Sequence, residues 1–225
     1  MVTEMSSFSS GGRTLAGYIA RPDGAGPFPG VLVIHEAWGL NENIKEIARR
    51  FAGEGYVALA VDLFSGRSGV LCMFSLFWGM LTNATGHGGI RDLKAALDQL
   101  AQQPGVDPAR LGAVGYCLGG GLAIGLACAD GRLKAIAPYY GMNPNPLSAL
   151  ERACPVVGSY PEKDFTAKAG RALEAELERC EIPHDIKIYE GAKHSFFNDQ
   201  NPASYNADAA LDSWERVKVF FNEHI

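Results

Sequence analysis

No run of lysine and arginine longer than a pair occurs in this sequence, and the 25 acidic residues outnumber the 20 basic ones. A formal charge of -5 and a pI near 5.5 exclude the basic stripe that a nucleic-acid binder needs. No apolar stretch reaches the roughly 18 residues of a membrane span. The longest candidate, Val70 to Leu81, is interrupted by Ser75 and Gly79. The start of the chain, Met1 to Ser10, is polar and has no apolar signal segment. The five cysteines, Cys72, Cys117, Cys128, Cys154 and Cys180, include no CxxC and no metal-ligand spacing. An odd, scattered set does not read as a disulfide framework, so a cytoplasmic location is expected. Neither the Lys-Ser/Thr of a P-loop nor a GxGxxG fingerprint accompanies Gly119-Gly120-Gly121. No cofactor, metal, nucleic acid or membrane partner is expected.

What is present alternates between strand and helix patterns over all 225 residues, read as one domain. Continuous apolar runs at Gly30 to His35, Tyr56 to Val61 and Arg110 to Val114 have the signature of strands buried on both faces. Further strands are read at Thr14 to Ala20, Leu133 to Ala137, Cys154 to Gly158 and Asp185 to Tyr189. Helical spacing marks Ile44 to Phe51 behind an Asn41 or Asn43 cap. It also marks Gly89 to Gln102, Thr166 to Cys180 and about Ala203 to Asn222. The fold class is therefore α/β, a mostly parallel central sheet with helices on both faces.

The chain centres on Gly115-Tyr116-Cys117-Leu118-Gly119-Gly120-Gly121. An apolar strand leads in and a small-residue apolar segment leads out. Strand, sharp glycine-flanked turn and helix, with a nucleophilic side chain at the apex, form the nucleophile elbow. Functional residues of such sheets lie beyond the carboxyl ends of strands. Cys117, Asp164 and His194 all fall there, in the nucleophile, acid, histidine order of α/β-hydrolases. A thiol must lose its proton, an imidazole must take it and deliver one to the leaving group, and a carboxylate must fix the imidazole tautomer. Glu162 is a rival acid. The backbone N–H groups of Leu118 and Ala37 are the expected oxyanion donors. His35 ends a buried strand and reads as structural. The other four cysteines read as small buried hydrophobes.

These pieces together identify a resemblance to the dienelactone hydrolase family. They are His35-Glu36-Ala37-Trp38-Gly39-Leu40, the elbow, Tyr139-Tyr140-Gly141, Glu162-Lys163-Asp164 and His194-Ser195-Phe196, spread from about residue 12 to the C-terminus. The resemblance implies an α/β-hydrolase fold, a Cys117-Asp164-His194 triad and hydrolysis of a cyclic enol-lactone ester. It further implies that Glu36 accepts the thiol proton when substrate enters. In the family, two arginines bind the substrate carboxylate, one of them four residues after the catalytic histidine. That position here is Asn198, and residues 70 to 88 hold no arginine. Trp38, Phe74, Phe77, Trp78, Tyr139 and Asn198 are expected to contact substrate, and residues 68–88 to form an apolar lid or pocket insert. The expected substrate is a small ester or lactone, apolar or aromatic rather than the family's carboxylate-bearing lactone. The alternatives are a thioesterase or other acyl hydrolase with the same triad, or a non-catalytic protein with a redox-sensitive Cys117. The expected state is a monomer or weak homodimer.

Overall fold

The computed structural model describes residues 1–225. Its elements run β1 (Val2–Ser10), β2 (Arg13–Arg21), β3 (Phe28–Ile34), α1 (Glu42–Gly53), β4 (Val57–Asp62), α2 (Gly69–Asn83), α3 (Gly88–Ala101) and β5 (Val106–Tyr116). They continue with α4 (Leu118–Ala129), β6 (Leu133–Tyr139), a 3₁₀ turn at Leu147–Arg152, β7 (Val156–Lys163), α5 (Thr166–Arg179), β8 (His184–Lys193) and α6 (Ala207–His224). One eight-stranded sheet has the order β1-β2-β4-β3-β5-β6-β7-β8. The pairs β1/β2 and β2/β4 are antiparallel, and every other pair is parallel. The parallel core forms where the apolar runs are unbroken: Val31 to Ile34 and Val57 to Val61 have no exposure at all.

Helices cover both faces, as expected. One core packs α2, α3, α4 and α5 against one side of the sheet, through residues such as Leu76, Leu97, Leu122 and Leu173. The other packs α1 and α6 against the opposite side, through Ile47, Phe51, Val217 and Phe221. Asn41 caps α1 by accepting from Ile44 N–H at 3.1 Å, and Asn206 caps α6 in the same way from Ala209. The last helix therefore starts four residues later than its pattern predicts, because Asn201 to Asn206 are held in turns.

Two stretches of strand lie outside those read from the sequence. The polar N-terminal segment is a full strand, β1, paired residue for residue with β2 from Val2↔Arg21 to Ser10↔Arg13. It is an edge strand with only Phe8 and Ser10 buried, so hydrophobic alternation is nearly absent. The local signal was Gly11-Gly12, whose φ values of 55° and 81° make the two-residue hairpin turn. Second, β7 runs on through Ser159 to Lys163, past the Gly158 end of the strand read from the sequence, because β8 pairs alongside it. No helix is long and apolar enough to cross a membrane.

Candidate active site

Cys117 stands at the end of β5 with φ 55° and ψ −114°. A non-glycine residue adopts that conformation only where its surroundings impose it. The imposing contacts are the close packing of β3, β5 and α4. A Cβ at Gly115 would collide with the Gly119 carbonyl, and one at Gly119 would collide with the carbonyls of Ile34 and His35. A Cβ at Gly120 would run into the Tyr139 carbonyl and, less closely, Gly141. Glycine at these positions lets α4 start directly over the strand ends. Cys117 becomes the N-cap, and the Leu118 N–H lies in the first turn, where no intrahelical acceptor exists.

Asp164 follows β7 directly, and His194 follows β8. His194 Nδ1 lies 2.6 Å from Asp164 Oδ2. The same carboxylate oxygen accepts from the Thr166 hydroxyl at 2.5 Å. Glu162 is not the partner: its exposed side chain accepts from the Gly191 N–H of β8 at 2.9 Å. The imidazole lies between two rings, tilted against Tyr140 at 4.9 Å and stacked on Phe165 at 5.8 Å. Burial disfavours its charge, but hydrogen bonding and charge interaction with Cys117 and Asp164 outweigh this and raise its pKa from 6.5 to about 9.

Glu36 is buried behind this group. Its Oε1 accepts from Tyr140 Oη at 3.2 Å and Ser195 Oγ at 3.0 Å, and Asn198 Nδ2 reaches Oε2 at 3.5 Å. No hydrogen bond joins it to the Cys117 sulfur. Three donors thus hold the carboxylate that was expected to meet the thiol. Tyr140 and Ser195 share the unusual backbone of Cys117, with φ of 41° and 62°. Burial first, then the charge of Glu36, keeps the Tyr140 phenol well above its ordinary pKa, so it stays a donor. His35 is structural: Nδ1 is 2.5 Å from the Glu36 carbonyl and Nε2 accepts from the Leu63 N–H at 3.1 Å. Burial lowers its pKa and keeps it neutral.

A cavity of about 300 Å³ opens over Cys117 and His194. Ala37 and Leu118 line it beside the sulfur. Its remaining wall is Met73, Phe74, Phe77, Met80, Tyr140, Met142, Phe165 and Thr166, with no lysine or arginine. Of the six expected substrate-contacting residues, Phe74 and Phe77 line it and four do not. Trp38 sits on the outer corner of the turn after β3 and is 79% exposed. Trp78 lies on the outer side of α2. Tyr139, the last residue of β6, stacks on Tyr116 at 4.7 Å within the core. Its neighbour Tyr140 reaches the cavity instead, because its positive φ turns the chain. Asn198 meets Glu36 rather than the cavity. Phe165, Thr166 and the three methionines were not singled out from the sequence; Phe165 and Thr166 had a signal in directly following Asp164. No group of three or more His, Cys, Asp or Glu side chains is placed to hold a metal.

The family model for the dienelactone hydrolase family matches residues 15–225. The chain belongs to that family. A Saccharolobus solfataricus protein named "Putative carboxymethylenebutenolidase" is 34% identical over 95% of both chains. Protein usf of Aquifex pyrophilus is 30% identical over 99% of both. Among solved structures, a dienelactone hydrolase-like promiscuous phosphotriesterase from metagenomic libraries superposes with a TM-score of 0.88 at 27% identity, covering 99% of this chain and 98% of that one. Pyrococcus horikoshii acylaminoacyl peptidase, at 16% identity and a TM-score of 0.77, shares the fold over 99% of this chain and 41% of its own. The family member described here is accordingly an α/β-hydrolase with dienelactone hydrolase-like architecture.

Proposed function

We propose that this chain is a carboxylic-ester hydrolase working through an acyl-cysteine intermediate on neutral, apolar or aromatic esters. The observation that carries the reading is the 2.6 Å Asp164–His194 contact beside Cys117 in a cavity without lysine or arginine. Cys117 Sγ attacks the ester carbonyl carbon, and the N–H groups of Leu118 and Ala37 receive the developing oxyanion. The C–O bond breaks as the His194 imidazolium gives its proton to the departing alkoxide. The neutral imidazole then takes a proton from water, whose oxygen attacks the thioester carbon. The acid is released and the thiolate–imidazolium pair returns. Asp164 holds His194 in the tautomer this requires, and Thr166 holds Asp164. In this cycle the Cys117 proton resides on His194, and Glu36 stays on Tyr140, Ser195 and Asn198 and takes no proton, so the acceptor role that the family resemblance implies for it is left out of the proposal.

The cavity has no lysine or arginine, and its one cation, the His194 imidazolium, is already paired with Cys117 and Asp164, so nothing offsets the desolvation of a substrate carboxylate. p-Nitrophenyl butyrate is therefore expected to have a kcat/KM at least about 100-fold above that of a lactone bearing a free carboxylate, since an uncompensated charge costs several kcal/mol. The reverse order overturns the substrate class. Alkylation of the thiol is expected to abolish turnover of both.

The raised His194 pKa sets a pH dependence. The imidazolium, and the stability it gains from its partners, is fully present below 6.5 and is lost as pH rises through about 9. The kcat/KM for a neutral ester is expected to hold across pH 7 to 8 and to fall about tenfold per pH unit above 9. A descending limb near pH 6.5 would contradict the ion-pair assignment.

One observation favours a second substrate. A neutral phosphotriester suits a cavity without lysine or arginine, and a relative at 27% identity is named for that activity. Paraoxon turnover in the same assay tests it.

A further inference from the structure

All fifteen residues of α2 are uncharged. Its inner side is core: Cys72, Leu76, Gly79 and Met80 are buried. Its outer side is also apolar, with Val70, Leu71, Phe74, Phe77, Trp78 and Leu81 between 43% and 72% exposed. At ~200 Å² per aromatic side chain, the three rings alone offer on the order of 350 Å². The largest apolar patch on a typical monomer is about 300–600 Å², and the three aliphatic side chains extend this one further.

The patch is continuous with the active site. Phe74 and Phe77 line the cavity over Cys117 and are themselves 62% and 45% exposed. Trp78 lies one turn from Phe74 at i+4, and Leu71 precedes it at i−3, so the three form one stripe on the helix. Apolar surface therefore runs unbroken from the reacting sulfur, across the cavity wall and along the outside of α2. A protein partner or second copy covering this face would also lie over the cavity mouth and shut it. An apolar chain belonging to the substrate would cover it while leaving the ester carbonyl at Cys117. The cavity itself, about 300 Å³, is at the small end of the ~300–1,000 Å³ range of ligand sites.

We propose that the outer face of α2 is the distal half of the substrate site, and that it receives the uncharged acyl chain of an ester too long for the cavity. This rests on the ester-hydrolase reading and names its substrate class as medium- to long-chain acyl esters. The first carbons of the acyl chain fill the cavity between Met73, Met80 and Met142. The remainder passes Phe74 and lies on Trp78 and Leu71.

The test is the chain-length profile of p-nitrophenyl esters from four to twelve acyl carbons, each kept below its aggregation limit. The wild-type kcat/KM is expected to rise about twofold to fourfold per added methylene up to twelve, mainly through KM. The double variant L71S/W78S changes only exposed side chains that do not line the cavity. It is expected to match wild type on the four-carbon ester within twofold and to lose at least tenfold on the twelve-carbon ester. An unchanged twelve-to-four ratio in the variant overturns the proposal, while loss of four-carbon turnover in wild type overturns the ester-hydrolase reading itself. Calorimetric binding of an unreactive dodecyl ketone keeps the two separate. Tenfold weaker binding to the variant supports the proposal, and equal binding overturns it. A wild-type dimer at assay concentration that L71S/W78S dissociates would make this face a contact between copies, and would overturn it as well.

Discussion

Replacing Cys117 by alanine is expected to lower kcat/KM on p-nitrophenyl butyrate by about 10⁴-fold or more, with the fold intact. The size of the effect follows from what remains. His194 and Asp164 keep their 2.6 Å contact, but the imidazole has no thiol to deprotonate and no thioester can form. The Leu118 and Ala37 amides can still polarise the carbonyl, which supports only a residual rate over water. Folding is preserved because alanine has the same Cβ at φ 55°, and Cys117 makes no side-chain cap bond to α4. A circular dichroism spectrum matching wild type, together with activity above one tenth, would remove Cys117 from the mechanism.

The second large effect is on stability. Gly119→Ala is expected to cost about 3–5 kcal/mol, seen as a fall of ~10 °C in the melting temperature. The added Cβ would enter the carbonyls of Ile34 and His35, which are backbone at the buried end of β3. Neither can give way: Ile34 is in the β3 ladder with β4 and β5, and His35 is tied through its ring to Leu63. The alternative is for α4 to rise off the sheet, which moves the Leu118 N–H and costs activity as well. Gly53→Ala is the control. Nothing lies within 4 Å of its Cβ position at the end of α1, and it is expected to be neutral or slightly stabilising. Equal melting temperatures for the two variants would show that the elbow is not closely packed.

The site was legible where its chemistry depends on chain order. Cys117, Asp164 and His194 each follow a strand in the parallel part of the sheet, and parallel strands bring their carboxyl ends to one edge. That topology places three residues separated by as many as 77 positions on one side of the sheet without any knowledge of side-chain packing. The two faces of α2 were not legible. Its sequence is apolar all round, so periodicity could not separate the core side from the cavity side or the exposed side.

Side-chain direction at strand ends was equally hidden. Tyr139 and Tyr140 are adjacent and chemically identical, yet one is core and the other bonds Glu36 and flanks His194. The difference is a single positive φ at Tyr140, imposed where Gly141 packs against Gly120 and Gly121. The family resemblance implies Glu36 as a partner of the thiol. The structure turns its oxygens toward Ser195, Tyr140 and Asn198, which come from two distant loops.

By itself the sequence determined most of the succession of strands and helices, β1 and α2 excepted, along with the glycine-flanked elbow and the identity of the three residues beyond the strand ends. These depend on local conformational limits: glycine where a Cβ would clash, unbroken apolar runs where both faces are buried. Only the tertiary structure decided which aromatic side chains form the cavity, that Thr166 shares the Asp164 oxygen with His194, and that half of α2 has no protein partner. Those facts depend on which atoms approach from elements far away in the chain. Periodicity records that a residue is apolar, and packing alone determines whether core, cavity or solvent lies against it.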